Sequence, residues 1–270
     1  MIERQRDRTL QTVCLTFARG QRDEPEALPG LAHFVEHLFH CRQKMGSGQF
    51  FASLREAGAI CNAYTGADYV QFWVSLPPTE LPKWTKIMHR QLTDPVPEPS
   101  TVRRELAVVA QEVASKVTRH PHRGFSFHHN RAALFADYAN AHTGFLDNPA
   151  LRDLTPDELR SWFHYFLDPT VATIASIGPL PADQATAELV PLLDTTTEPL
   201  GPRPHQLTRP RTVHIDRAED SPHAVAVCYP VVHTGRWLTD LAVHQVVAAI
   251  LAQGGSRSLL GRQGPVTGRV

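Results

Sequence analysis

Two neighbouring stretches, AICNAYTG at 59–66 and DYVQFWVSLP at 68–77, constrain the fold more than any other part of the sequence. In the second stretch, hydrophobic residues recur at every second position from Val70 to Leu76, which is typical of a strand with one buried face. Gly66-Ala67-Asp68 supplies a turn between the two stretches. The sequence therefore predicts an antiparallel hairpin that needs a covering layer on one side.

Helical and strand-like segments surround this hairpin. The predicted strands are 10–18 and 171–178, and the predicted helices are 31–44, 49–57, 80–92, 100–117, 155–166 and 182–193. Thr155 and Glu158 form a capping box with Pro156 at the first helical position. Prolines then crowd a segment of little periodicity, which favours a linker. We predict a domain at 1–195, a linker at 196–210 and an incomplete second domain at 211–270.

Charge and cysteine content exclude several classes of protein. Lys+Arg and Asp+Glu balance at 27 each, so no overall field attracts nucleic acid or an anionic membrane. The four cysteines lie far apart without a C-x-x-C pair, which disfavours a disulfide framework. The first residues resemble no secretory leader, and no apolar run approaches a membrane span. We therefore expect a cytoplasmic protein.

The sequence HFVEH at 33–37 lies in the predicted helix 31–44. His33 and His37 are four positions apart, which places both imidazoles on one helix face at a separation that suits one tetrahedral zinc ion. Glu36 lies beside them, where its carboxylate can take a proton from a water whose pKa the zinc has lowered to roughly 7. The pattern therefore predicts a catalytic metal site.

A catalytic zinc ion needs a third protein ligand, and the predicted helix 100–117 offers two carboxylates. Glu105 and Glu112 share a face of this helix, so either suits the metal while the other orients a ligating histidine. The alternative is a solvated helix face without a metal. We interpret His40, one turn beyond Glu36, as a structural histidine.

Several motifs occur in an order that resembles one known family. H-x-x-E-H is the inverted zinc signature, GAICNAYTG resembles the family's hairpin, and ELAVVAQEV resembles its helix with a distal glutamate. Together with RGQRDEPEALPGLAH and LTPDELRSWFHYFLDPTVATIASIG, these stretches are similar to the insulinase/pitrilysin-type zinc metallopeptidases, which include mitochondrial processing peptidase and its bacterial relatives. The resemblance covers about residues 10–195, with a weaker similarity in AILAQGGSRSLLGRQG.

The resemblance implies an α+β fold in which helices pack on a mixed, mainly antiparallel sheet, as in one half of a clamshell. It implies that His33, His37 and Glu112 bind Zn2+. It also implies that Glu36 is the base that activates water and that Glu105 supports the site from behind.

In such enzymes the strand with the N-A-Y-T sequence pairs with an extended peptide, which maps onto 60–65 here. An exposed strand edge supplies main-chain hydrogen bonds that fix a peptide without demanding a particular sequence. Asn62, Ala63 and Tyr64 are therefore the expected substrate-binding residues. Asn62 alone fits equally well as a strand-end residue that satisfies its own turn.

Two features depart from the family pattern. FHCRQKMGSGQFF lacks the usual F-x-G-T, and the chain ends before the Arg and Tyr that complete the site in the second half of such enzymes. The chain is therefore either a fragment or one piece of a split enzyme. An oxyanion needs donors beyond the zinc, so we expect a zinc endopeptidase subunit that binds zinc alone but needs a second half or a homo- or heterodimeric partner to hydrolyse peptides well. The alternative is a non-catalytic peptide-binding or scaffold subunit of the same fold.

Overall fold

The computed structural model describes residues 1–5, 7–41, 47–93, 97–118 and 125–193, together with 236, 239–240, 242–243 and 245–247. The chain divides into two compact units, Met1–Ala226 and Val227–Val270. The predicted linker and most of the predicted second domain lie outside the described residues, so the domain boundaries stay predictions.

The strands of the described residues form one mixed sheet. They are β1 (Ile2–Arg4), β2 (Gln11–Phe17), β3 (Ile60–Thr65), β4 (Val70–Leu76) and β5 (Ala172–Gly178). Their order across the sheet is β1-β5-β2-β4-β3, with β1 parallel to β5 and all other neighbours antiparallel. The predicted hairpin is confirmed, with Asn62 of β3 opposite Trp73 of β4.

Helices pack on this sheet, as the predicted α+β fold requires. Those of the described ranges are α1 (Leu31–Phe39), α2 (Ser47–Glu56), α3 (Leu81–Thr93), α4 (Pro99–Val113), α5 (Phe125–Leu134), α6 (Tyr138–Ala141), α7 (Pro156–Phe166) and α8 (Ala182–Leu189). A π-helical turn, Ala114–Thr118, continues α4. The predicted capping box at Thr155 and Glu158 is confirmed at the start of α7.

Some boundaries differ from those predicted. Helix α1 ends at Phe39 rather than at Lys44, and His40 lies in a turn. Helices α5 and α6 were not predicted, because FSFHHNRAAL has no clear apolar stripe and YANA is a single turn. None of the helices within the described ranges combines the length and the apolar content that crossing a bilayer requires.

The core lies between the sheet and the helices packed on it, α1 among them. Val13, Leu15 and Phe17 of β2 alternate with half-buried neighbours and are 0% exposed. Phe39 of α1 stacks on Phe72 of β4, with ring centroids 4.0 Å apart. Burying each such side chain stabilises the fold by about 1.5–3 kcal/mol. These contacts fix α1 firmly against the sheet, so the side chains that it carries are held in place.

Candidate metal centre

The helix that carries HFVEH starts at a buried carboxylate. Gly30 precedes α1 with a φ of 97°, a left-handed conformation that glycine adopts without strain. The Glu24 carboxylate is fully buried and accepts hydrogen bonds from the backbone N–H groups of Gly30 (3.0 Å) and Ala32 (2.9 Å). A negative charge is favourable at a helix N-terminus. This contact therefore fixes where α1 begins and which way its histidines face.

His33 and His37 of α1 face Glu112 of α4 across a short gap. Their Nε2 atoms lie 3.6 and 3.2 Å, respectively, from the same Glu112 carboxylate oxygen. One possible ligand atom from each of the three residues lies within 4.8 Å of the others. Two ligands of a tetrahedral zinc ion, each about 2.1 Å from the metal, are about 3.4 Å apart. The two separations from Glu112 Oε2 are close to this value, so the three donors are compatible with a zinc ion.

Glu105 lies behind His37. Its Oε2 atom is 3.7 Å from His37 Nδ1, and its side chain is only 2% exposed. A carboxylate beside the second nitrogen of a ligating imidazole fixes the orientation of the ring. Helix periodicity left the roles of the two glutamates open, and the structure separates them. Glu112 faces both imidazoles, whereas Glu105 faces the far nitrogen of His37.

Glu36 is buried and is held by a residue that sequence reasoning did not select. The Thr65 hydroxyl donates a hydrogen bond of 2.5 Å to Glu36 Oε2. Burial raises the pKa of Glu36, and the Thr65 hydrogen bond opposes that shift. The only sequence signal for Thr65 was its place two residues beyond Ala63 on β3, which puts it on the same face of the strand.

Burial also decides against the solvated helix face. His33 is 5% exposed and Glu36 is 9% exposed, and eight of the nine residues of α1 are buried. Buried polar and ionisable groups need partners. His33 Nε2, His37 Nε2 and the Glu36 carboxylate have partners in α4 and β3, whereas Nδ1 of both histidines is buried without a hydrogen bond to the described residues.

The site has an uneven charge distribution in the absence of a metal. Burial, together with the charge of His37, lowers the pKa of His33 to about 3. Burial also acts to lower the pKa of His37, but the carboxylates of Glu105 and Glu112 raise it to about 9. The hydrogen bond to His37 lowers the pKa of Glu112 to about 2. At neutral pH, His37 is therefore a cation between two carboxylates, while His33 is neutral.

His40 lies outside this group of ligands. It is 5% exposed, and its ring contacts Phe39, Phe50, Phe51 and Phe72. Burial lowers its pKa to about 3, so the ring is neutral. These apolar surroundings agree with the structural role predicted for it.

Strand β3 lies at an edge of the sheet, where β4 is its neighbour among the described strands. Ile60 and Tyr64 are 62% and 53% exposed, and Asn62 lies on the same exposed face. The Asn62 side chain accepts a hydrogen bond of 2.9 Å from the Ala63 N–H. Asn62 therefore satisfies its own backbone in this state, as one of the two sequence interpretations expected.

Comparison with known proteins agrees with this arrangement. The model of a family described as Insulinase (Peptidase family M16) matches residues 1–143, which is more than half of the chain. The chain belongs to this family. The resemblance inferred from HFVEH and its surroundings is thereby confirmed.

Two curated relatives show how much of a longer protein this insulinase-family chain represents. It is 25% identical over 193 residues to an uncharacterized zinc protease of Streptomyces coelicolor, covering 68% of this chain and 41% of that protein. It is 27% identical over 156 residues to the beta subunit of mitochondrial-processing peptidase of Blastocladiella emersonii, covering 56% of this chain and 32% of that protein. The chain thus spans less than half the length of either relative.

Solved structures confirm the fold. A protease from Helicobacter pylori superposes with a TM-score of 0.65 at 16% identity, covering 77% of this chain and 51% of that one. A peptidase M16 inactive domain from Pseudomonas fluorescens gives a TM-score of 0.62 at 16% identity, covering 78% of this chain and 50% of that one. The same α+β architecture therefore occurs both in a protease and in a domain described as inactive.

Proposed function

We propose that this chain is the zinc-bearing subunit of an endopeptidase. The observation that carries the proposal is the convergence of His33, His37 and Glu112, with one ligand atom from each within 4.8 Å of the others. When bound, zinc would lower the pKa of a water molecule and polarise a peptide carbonyl group. The three residues would hold the ion and leave one position open to solvent and substrate.

Glu36 is the proposed general base. Its position one residue before His37 puts its carboxylate beside the open side of the ligand set, where it accepts a proton from the attacking water. Burial raises its pKa, which brings a carboxylate closer to the operating range of a base that must later give up its proton. The Thr65 hydroxyl holds Glu36 Oε2 and so leaves Oε1 as the oxygen that accepts the proton.

The exposed edge of β3 is the proposed binding site for the peptide. An extended substrate would add a strand there, and Asn62, Ala63 and Tyr64 would contact it. The Ala63 N–H is satisfied by the Asn62 side chain, so a peptide carbonyl would have to replace that contact. β3 also carries Thr65 beside the base, so one strand links peptide alignment to the reacting group.

A partner subunit is part of the proposal. The chain spans less than half of the curated relatives that it matches, and an oxyanion needs donors beyond the zinc ion. We infer that a second half or a homo- or heterodimeric partner supplies the remaining donors and closes the chamber. The cytoplasmic location expected from the sequence stays a prediction.

The test compares zinc content and peptide hydrolysis for the chain alone and for the complex purified from its host. Glu36→Gln should keep zinc and lose hydrolysis by the complex, because the amide cannot accept the proton. Glu56→Gln, which changes an exposed glutamate at the end of α2, is the matched control and should keep both properties. Hydrolysis retained by Glu36→Gln would refute the assigned base.

A non-catalytic subunit is the second candidate, and the likeness to an inactive domain favours it. Against it, the ligands, the base and their supporting residues lie together in this chain. Protein purified without chelators and free of zinc would favour this second candidate.

A further inference from the structure

The two histidines of the site are oriented in different ways. His37 has the Glu105 carboxylate beside its Nδ1 atom. In both rings Nδ1 is buried without a hydrogen bond to the described residues. At His33, the ring of Phe145 packs against the imidazole, with centroids 4.8 Å apart and ring planes at 46°. Because protein interiors are closely packed, such a contact restricts rotation of the imidazole sterically.

Phe145 also contacts Lys116, the residue that pairs with the third candidate ligand, Glu112. Lys116 Nζ lies 5.6 Å from the centroid of the Phe145 ring, within the range of a cation–π interaction. The same ammonium group pairs with Glu112 Oε1 at 2.5 Å, leaving Oε2 directed at the histidines. The aromatic ring is therefore held on the Glu112 side of the site while it packs against His33.

One buried carboxylate joins α1 to the segment that carries Phe145. Besides binding the N-terminus of α1, Glu24 Oε2 lies 3.0 Å from His142 Nε2. Gly144 passes so close that a Cβ atom there would come within 2.7 Å of a Glu24 carboxylate oxygen. Glu24 thus sets both where α1 begins and where residues 142–145 lie, and with them the separation of His33 from Phe145.

We propose that Phe145 is a positioning residue that holds the His33 imidazole ready for the metal, and that Glu24 sets this contact by clamping α1 to residues 142–145. The inference rests on the proposed zinc site and extends it to residues that do not touch the ion. Outer contacts of a ligating histidine change metal affinity by about 10–100-fold. Packing against Phe145 orients His33, whereas His37 has the Glu105 carboxylate 3.7 Å from its Nδ1 atom.

The experiment measures zinc affinity by chelator competition and the absorption spectrum of the Co2+-loaded protein. The variants are Phe145→Ala, Phe145→Leu, Glu24→Gln and the double variant Phe145→Ala/Glu24→Gln. Tyr165→Ala removes another aromatic ring that contacts a cation, Arg19, and is the control for Phe145. Glu158→Gln removes another carboxylate that caps a helix and is the control for Glu24. Circular dichroism of the metal-free proteins verifies that each variant is folded.

We expect Phe145→Ala to weaken zinc binding by about tenfold and to change the Co2+ spectrum. Phe145→Leu keeps apolar bulk, so its loss of zinc affinity should be smaller. This variant tests the same contact if Phe145→Ala does not fold. Glu24→Gln should show a similar loss, and the double variant should lose less than the sum, since both act on His33. The controls should bind zinc as the wild type does.

Two results would overturn the inference. Wild-type affinity and an unchanged Co2+ spectrum in the Phe145 variants would refute the role of Phe145. Strictly additive losses in the double variant would refute the action of Glu24 through it. A wild-type protein that bound no zinc would instead overturn the proposed function, so the two failures are distinguishable.

Discussion

Zinc binding to this site should release a proton from His37. Without a metal, the carboxylates of Glu105 and Glu112 hold the pKa of His37 at about 9, so the ring is protonated at neutral pH. Zinc binds only a neutral imidazole. His33 and Glu112 release none, because their pKa values of about 3 and about 2 leave both deprotonated already.

The magnitude follows from the distance between pH and pKa. At pH 7, which is about two pH units below the pKa of His37, zinc must displace the proton from this ring. That competition weakens apparent zinc binding by about 100-fold, or about 2.7 kcal/mol. Apparent affinity should therefore rise about tenfold per pH unit between pH 5 and 6.5, below the range in which a zinc-bound water ionises. In Glu105→Gln the loss of one carboxylate lowers the pKa of His37, so proton competition should weaken zinc binding less at each pH in this range.

Calorimetry in two buffers of different ionisation enthalpy counts the released protons directly. The measurement is best made in Glu36→Gln, because that variant removes a second titratable group from beside the ligands. We expect about one proton per zinc at pH 6, where His37 loses its proton and a zinc-bound water, with a pKa of roughly 7, largely keeps its own. Binding without proton release, and an affinity that does not vary with pH, would refute the reasoning about His37.

Three further perturbations test other parts of the structure. Thr65→Val removes the hydrogen bond that opposes the raised pKa of Glu36. The kcat/KM of the complex should therefore fall about tenfold, and the acidic limb of its pH profile should move to higher pH, with zinc content unchanged. An unshifted pH profile would contradict this role. Ala63→Pro removes a backbone N–H that bonds to the Asn62 side chain and not to β4, so the fold and the zinc content should persist while KM for the peptide rises. An unaltered KM would count against the β3 edge as the peptide site. Phe39→Ala should lower the free energy of unfolding by about 3–5 kcal/mol, as measured by urea denaturation, and a loss below 1 kcal/mol would show that its stack on Phe72 contributes little.

Local patterns predicted local structure well. The alternation from Val70 to Leu76, the cap at Thr155 and the helical spacing of His33 and His37 all appear in the structure as expected, because each depends on residues close in sequence. The short β1 strand was not predicted, since β5, its partner among the described strands, is more than 170 residues away.

Contacts within the site were predictable only in part. Helix periodicity placed Glu105 and Glu112 on one face, and the family resemblance suggested which of them faces the metal. The Thr65 contact with Glu36 and the Phe145 contact with His33 join residues that are far apart in sequence, and nothing in either local pattern indicates its partner. Such contacts arise from the packing of the sheet, α1 and the segment after α6.

All three candidate ligands, and the glutamate behind them, come from two helices of one compact unit. If the proposed function holds, metal loading and completion of the active site are therefore separable events. This unit would take up zinc while still inert, and proteolysis would begin only when the rest of the chamber closes on it. Control of an otherwise hazardous activity would then lie in the timing of assembly rather than in the supply of metal.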